Sequence, residues 1–324
     1  MKAIVQDRYG STDVLTFREI DTPVAADGEV LVRVRAASVN ARDWHVMRGD
    51  PYLARATFGL RRPGVVVRGT DFAGEVEAVG RGVTRFRPGD EVFGETDGAF
   101  AEHVSVPDGV VETKPANLTF EQAAALPLAA NTALVGLRDL ARVRPGQHVL
   151  INGASGGVGT FAVQIAKHLG ARVTGVCSAR NADLVTTIGA DHVVDYALED
   201  FATGGQRYDV VFDLVGNRSL TDCRRALTPR GTLVLSGGGV SRGGSLLGPI
   251  GLVVRGRLLS RFVRQRLLVL TATPSRENLA TLREFAESGH LTPVVDRTYP
   301  LSETPEAVRY VEVEHARAKV VITV

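Results

Sequence analysis

Residues 148–177, HVLINGASGGVGTFAVQIAKHLGARVTGVC, constrain the fold more than any other stretch, because a strand, a glycine turn, a helix and a second strand follow one another there. The apolar run Val149, Leu150, Ile151 predicts a strand buried on both faces, and Ala162, Ile165, Ala166 and Leu169 fall on one face of a helix. Between them lies Gly153-Ala154-Ser155-Gly156-Gly157-Val158-Gly159. Glycine lets the backbone turn tightly and approach a pyrophosphate, and the helix N-terminus behind it offers unpaired N–H groups and partial positive charge. As a dinucleotide fingerprint G-x-G-x-x-G, the turn carries Ala154 in the first place, then Gly156 and Gly159. A tight strand-helix turn without a ligand is the structural alternative. The strand before it and the helix after it favour nucleotide binding.

The length of 324 residues is enough for two domains, and 44% hydrophobic with 23% charged residues is the balance of a globular protein. The 38 basic and 36 acidic residues leave a net charge of +2, which gives no global field to recruit nucleic acid or an anionic membrane. Lysine chemistry is limited to Lys2, Lys114, Lys167 and Lys319. Cys177 and Cys223 make no disulfide framework, and the opening MKAIVQDRYG has no apolar signal core, so a reducing cytoplasm is the expected compartment. The apolar run from Leu246 to Val254 is broken by Gly248, Pro249 and Gly251 and is too short to span a membrane.

From Met1 to Asn117 the runs MKAIV, EVLVRV, GEVEAVG, EVFGE and FAEHVSV, separated by Gly, Pro and Asp, predict a compact, mostly β domain. Within it, Ser38-Val39-Asn40-Ala41-Arg42-Asp43-Trp44-His45 sets polar groups and the only tryptophan directly after an apolar strand. These residues line a pocket or, equally, Trp44 is core and Asp43 caps the next turn. Phe120 to Arg142 predicts helix, polar at Asn131-Thr132 and disturbed at Pro127. Strands are predicted again at His192–Asp195, Asp209–Asp213, Thr232–Ser236 and Leu267–Thr271, an alternation that implies a parallel, doubly wound sheet of about six strands. From Leu291 the β-like runs PVVDRTYP and AKVVITV, around a short helix, are expected to rejoin the first domain. The expected division is 1–122 completed by 275–324, and 123–274.

Ligands of such a sheet sit beyond the carboxyl ends of its strands, which nominates Cys177-Ser178, Asp213 to Gly216 with Val215 between them, and Ser236-Gly237-Gly238. A site for NAD usually places an acid at the end of the second strand, yet here the chain reads Val176-Cys177-Ser178-Ala179-Arg180-Asn181. A carboxylate there would repel a 2′-phosphate by an energy on the order of 1 to 4 kcal/mol. Ser178 and Arg180 would instead donate to it, so NADPH is expected over NADH. Tyr196, just past a later strand, either stacks on adenine or reaches the phosphate, or is a half-buried structural residue.

The seven histidines are scattered and neither cysteine has a close partner, so no zinc is expected. The turn also fits G-x-x-x-G-x-G, a spacing associated with short-chain dehydrogenases, but none of the six tyrosines has lysine four positions later, which removes that class. Arg242, Arg255, Arg257, Arg261, Arg264 and Arg266 are interleaved with Leu and Val rather than forming one basic stripe. The segment therefore reads as an arm over a substrate cleft with solvated arginines, not as a nucleic-acid face. The strand Leu267–Thr271 is expected at a sheet edge, which a homodimer joining two edges would cover.

The order of SVNARDW, RGTDFAGEVEAVG, RFRPGDEVFG, GAFAEHVSVP, LPLAANTALVGL, NGASGGVGTFAVQIAKHLGA, GADHVVDY and AKVVITV resembles the medium-chain dehydrogenase/reductase superfamily over essentially the whole chain. Within it, the chain is most similar to the zinc-free quinone oxidoreductase group, which includes zeta-crystallin-like proteins and alkenal or enone reductases. The resemblance implies an α/β architecture with a GroES-like, mostly β catalytic domain and a doubly wound Rossmann domain, NADPH as cofactor, and dimers. It implies that Asn40 stands where the zinc branch has its first zinc-binding Cys, and that Thr132 lies near the nicotinamide half. Ser155, Gly156, Gly157 and Val158 would form the pyrophosphate turn, and Ser178, Arg180 and Tyr196 the adenosine-phosphate end. Lys319 falls in the family's Gly-Lys-Val-Val ending, with Ala318 in place of the glycine. The chemistry it implies is hydride transfer to a quinone or α,β-unsaturated carbonyl, with Tyr52 the first candidate to polarise or protonate the substrate oxygen and solvent the competitor. A non-catalytic NADPH-binding redox sensor or structural protein would carry the same binding motifs.

Overall fold

A computed structural model describes residues 1–236, 256, 259, 263–314 and 316–324. The chain divides into unit 1, Met1–Asn131 with Thr273–Val324, and unit 2, Thr132–Ala272. The first crossing thus follows Asn131 rather than residue 122, and the return precedes Thr273 rather than 275.

Unit 1 opens with the antiparallel pair β1 (Lys2–Gln6) and β2 (Leu15–Glu19). The long β3 (Glu29–Val39) runs into α1 (Ala41–Arg48), and the short α2 (Arg55–Phe58) precedes β4 (Asp71–Val79), β5 (Glu91–Glu95), β6 (His103–Pro107) and β7 (Val111–Thr113). These are the short runs expected from the alternation of apolar residues with Gly, Pro and Asp. Thr119 caps α3 (Phe120–Ala124) by accepting from the Gln122 N–H, while the Gln122 side chain returns a bond to the Thr119 N–H. This helix packs on β3 and β4, which keeps it with unit 1 and moves the boundary downstream.

Pro127 breaks the helical stretch where its sequence position indicates, because it supplies no N–H and begins a new helix, α4 (Pro127–Leu134). The next turn, Val135–Ala141, is π-helical, and Gly136 there has no room for a side chain: a Cβ would lie 2.6 Å from Phe212. Asn131 fastens the crossing, donating to the Thr273 carbonyl at 2.9 Å and accepting from Asn278 at 2.8 Å.

Unit 2 is built on β8 (His148–Asn152), α5 (Gly157–His168), β9 (Arg172–Cys177), α6 (Ala182–Thr187), β10 (His192–Asp195), β11 (Tyr208–Asp213), α7 (Leu220–Ala226), β12 (Leu227–Leu235) and β13 (Arg266–Val269). All neighbours pair in parallel, in the order β10-β9-β8-β11-β12-β13. This is the doubly wound sheet the alternation implies, and β8 sits beside the point where its winding reverses. Val149, Leu150 and Ile151 are fully buried, and Phe161 to Ala166 of α5 are all buried, so that helix is covered over more than the one face its pattern predicts. β13 ends the sheet, at the edge expected for it. Of the arginine-rich segment, Arg264 and Arg266 are exposed, whereas Arg242, Arg255, Arg257 and Arg261 lie outside the described residues.

The chain returns to unit 1 through the helix Arg276–Glu287, then β14 (Val295–Pro300), the helix Thr304–Val313 and β15 (Lys319–Thr323). β15 pairs antiparallel with β3, completing a sheet in the order β14-β15-β3-β4-β5-β7, with β6 also on β3. Ile4, Met47, Phe72, Phe100 and Ile322 share its core, which is why the last residues of the chain belong with the first. Among the described residues no helix is long and apolar enough to cross a membrane.

Candidate active site

The glycine turn between β8 and α5 divides its glycines into two kinds. Gly159 is required by packing, since a Cβ there would sit 2.1 Å from the Gly153 carbonyl oxygen and 2.7 Å from the Ala154 carbonyl carbon. Gly153 has φ +89°, in the region that favours glycine. Gly156 is different: it has φ −81°, and a Cβ would meet only the Gly153 oxygen at 3.4 Å. The chain's own packing does not demand glycine there, whereas close approach of a dinucleotide over the turn does. The departure at Ala154 is also resolved. Its Cβ would stand 2.9 Å from a Cβ at Gly175, so the bare backbone of Gly175 on β9 makes the space that the motif's first glycine would otherwise supply. A nucleotide pyrophosphate therefore fits the residues present, with α5 presenting its N-terminus to it.

The other nominated segments lie along the same carboxyl edge of the sheet. Ser178 follows β9, and Tyr196 follows β10 with its N–H on the Cys177 carbonyl at 3.2 Å. Ser178 is half-buried, Arg180 exposed, and Tyr196 55% exposed. Asn181 donates to Ser155 Oγ at 3.0 Å and to Ser178 Oγ at 3.4 Å. At the centre of the edge, Asn152 donates to Asp213 Oδ1 at 2.8 Å, and that oxygen also accepts from the Val215 and Gly216 N–H groups at 3.1 and 2.9 Å. The buried Asp213 thus shapes the Val215 turn. Ser236 donates its N–H to the Asp213 carbonyl at 3.0 Å, next in line, and Gly237 lies outside the described residues. A cavity of about 300 Å³ among His148, Arg172, His192 and Tyr208 opens at the opposite, amino-terminal edge of the strands and takes no part in this arrangement.

In unit 1 the polar residues after β3 form one buried network. Register sets Ser38, Asp71 and Glu95 side by side across β3, β4 and β5. Asp71, fully buried, accepts from Ser38 Oγ at 3.0 Å, Asn40 Nδ2 at 2.9 Å and the Leu128 N–H at 3.1 Å. Lys319, 1% exposed, donates to Asn40 Oδ1 at 2.6 Å and lies 3.5 Å from Asp71. Burial raises the Asp71 pKa, a trend the Lys319 charge opposes, and burial lowers that of Lys319, opposed in turn by Asp71. Asp43 accepts from the Asn40 N–H at 2.7 Å and from Thr70 Oγ1 at 3.1 Å. Burial pushes its carboxyl up to about 6. Glu95 is raised to about 8, first by burial and then by the neighbouring Asp71.

This geometry changes the meaning of two expected site residues. Both ends of the Asn40 amide are engaged within unit 1, and Lys319 points inward to Asn40, so Lys319 supports Asn40 instead of presenting its own ammonium at a surface. Asp43 does cap α1, as the structural alternative held, and Trp44 packs partly buried on the core, stacked on His45. Tyr52 is 45% exposed on a short turn, with the Arg55 guanidinium stacked 4.6 Å from its ring and 4.5 Å from that of Tyr9. Thr132 is buried in α4, the first residue of unit 2. Cys177 and Cys223 are buried, which pushes their thiols up to about 11 and about 12 and leaves them unreactive at neutral pH. Asp213, nominated by its place at a strand end, is joined in the site's polar framework by Asp71, Glu95, Asn152 and Asn181, which sequence reasoning misses. Glu95 and Asn152 each end an apolar strand run, which was their only signal, whereas Asp71 opens β4 and Asn181 follows Ser178 in the turn after β9.

The raised Glu95 pKa has a defined effect on stability. The folded state holds this proton between the ordinary 4.5 and about 8, so Glu95 lowers stability as pH rises through that window. Asp43 acts in the same direction only up to about 6. Urea unfolding should therefore show Glu95→Gln gaining on the wild type by on the order of 1 to 2 kcal/mol between pH 6 and 8. A difference independent of pH contradicts this.

Two family models match the chain: the alcohol dehydrogenase GroES-like domain over residues 26–116 and the zinc-binding dehydrogenase over residues 188–322. The NAD(P)H oxidoreductase RTN4IP1, mitochondrial, of Bos taurus is 36% identical over 100% of this chain and 89% of its own length. The NADPH-dependent alkenal/one oxidoreductase, chloroplastic, of Arabidopsis thaliana is 33% identical over 99% of this chain and 79% of its own. The solved quinone oxidoreductase from Coxiella burnetii superposes with a TM-score of 0.85 at 29% identity, covering 100% of this chain and 99% of that one. The expected cytoplasmic compartment is overturned by these relatives, which are named for mitochondria and chloroplasts. Scarce cysteine speaks only for reducing surroundings, not for one compartment. Fold, glycine turn and kinship agree: the chain belongs to the medium-chain dehydrogenase/reductase superfamily, in its quinone oxidoreductase group.

Proposed function

We propose that this chain is an NADPH-dependent oxidoreductase that reduces a quinone or an α,β-unsaturated carbonyl without zinc. The glycine turn carries the reading, because Gly156 leaves open the space a dinucleotide needs while nothing in the chain's own packing requires it. Ser155, Gly156, Gly157 and Val158 hold the pyrophosphate, Ser178 and Arg180 the 2′-phosphate, with Tyr196 beside the adenosine and Thr132, Val215 and Ser236 toward the nicotinamide side. Bound NADPH supplies a hydride to the electrophilic carbon. Substrates of this class are activated by conjugation, so orientation and one hydrogen bond suffice where an isolated carbonyl would need a Lewis acid. Zinc independence is supported by the residues themselves. Asn40 is tied to Asp71 and Lys319, and both cysteines are buried in unit 2 on separate elements. Tyr52 offers the hydroxyl that polarises or protonates the substrate oxygen, its ring steadied by Arg55. The network of Asp71 and Lys319 holds the Asn40 amide in one orientation beside α1.

Purified protein should oxidise NADPH when small enones or quinones are added, and Tyr52→Phe should lower kcat by about 10-fold or more with little change in KM. Unchanged kcat removes Tyr52 as the donor. Binding of NADPH without turnover of any such acceptor returns the chain to a sensor or structural role.

The working form we propose is a homodimer. β13 ends the sheet, and its outer edge has no partner strand among the described residues. Sedimentation should give twice the mass of the 34.6 kDa chain, and a monomer at micromolar concentration would count against edge pairing.

A further inference from the structure

We infer that Asn181 is a positioning residue that turns the Ser155 and Ser178 hydroxyls toward the cofactor's phosphates and thereby sets the preference for NADPH, an inference that rests on the cofactor reading above. Asn181 sits at the N-cap position of α6, where an asparagine side chain ordinarily accepts from the helix's first free N–H groups. It makes no such bond. Its side chain is 6% exposed, and its amide nitrogen is aimed the other way, at Ser155 Oγ and Ser178 Oγ. One NH2 group, with two hydrogens, thus ties the glycine turn after β8 to the end of β9.

The chemistry of that tie has a direction. Each serine oxygen accepts from Asn181, which leaves its own O–H as the group still to be placed. Among the described residues neither hydroxyl donates to a protein acceptor. Both are therefore left as donors, at the two positions where a pyrophosphate and a 2′-phosphate would lie, with the exposed Arg180 two residues beyond Ser178. Hydrogen bonds from hydroxyl to phosphate are charge-assisted and need donors held in place. A carboxylate at position 181 has the same shape and the opposite polarity: it only accepts, so it would draw both O–H groups inward and add a negative charge behind them. A residue that merely stitched the two loops together would affect NADH and NADPH alike, because the two differ only at the 2′-phosphate.

The test is a fluorescence titration of wild type, Asn181→Asp and Asn181→Ala with NADPH and NADH at one ionic strength. Asn181→Asp should reduce the preference for NADPH over NADH by about 10-fold or more, and Asn181→Ala by about 3-fold. The alanine variant adds no buried charge, so the selectivity is measurable even where the aspartate variant folds poorly. Equal weakening of both cofactors, or an unchanged preference in both variants, overturns the inference and leaves Asn181 a structural stitch. A wild type with no preference for NADPH removes the phosphate site itself, and the inference falls with the cofactor reading instead of by itself.

Discussion

The approach of α5 to the end of β8 is the contact on which unit 2 depends. With the Gly153 carbonyl 2.1 Å from where a Gly159 Cβ would be, no other residue allows the helix to start so close to its strand. That closeness fixes the turn, and the turn aims the helix N-terminus beyond the sheet edge. It also places Ser155 within reach of Asn181, three residues after Ser178, and so links the turn to the end of β9. In the proposed reading, cofactor recognition follows from a backbone constraint, and the polar side chains add selectivity to it.

Unit 1 solves a different problem, that of keeping charge in a dry place. Lys319 and Asp71 are almost wholly buried, and each would be expensive to bury without the other. The Asp71 carboxylate is satisfied by a hydroxyl, an amide, a backbone N–H and an ammonium, and the ammonium in turn fixes the amide of Asn40. Removing one partner of such a set typically costs about 3 to 5 kcal/mol, because the remaining charge is stranded. That cost is what makes Asn40 rigid. A side chain with both ends anchored keeps one orientation, a property expected of a wall against which a substrate is positioned.

What was legible in the sequence were the features encoded by local periodicity. The apolar triplet of β8, the glycine turn, the break at Pro127 and the alternation of strand and helix up to β13 are each written within a few neighbouring residues. The features that were not legible depend on register between distant segments. Gly175 compensates for Ala154 only because β9 lies beside β8, and Lys319 meets Asn40 across 279 positions of chain. Nothing in the string says that an amide after β3 will be bound by the C-terminal strand until β15 is seen to pair with β3. The unit boundary moved for a related reason, since α3 looks like the start of a helical domain yet packs on β3 and β4. The cytoplasmic assignment failed because composition reports redox conditions and not address.

If the turn after β8 is shaped for a dinucleotide rather than for the fold alone, Gly156 is the residue that separates the two. The measurement is NADPH affinity together with thermal stability for Gly156→Ala, with Gly159→Ala as the packing control. Gly156→Ala should keep its melting temperature within about 2 °C of wild type while NADPH binding weakens about 10-fold or more, and Gly159→Ala should lose stability outright. A Gly156→Ala variant that binds NADPH as tightly as wild type would contradict a turn shaped for the dinucleotide.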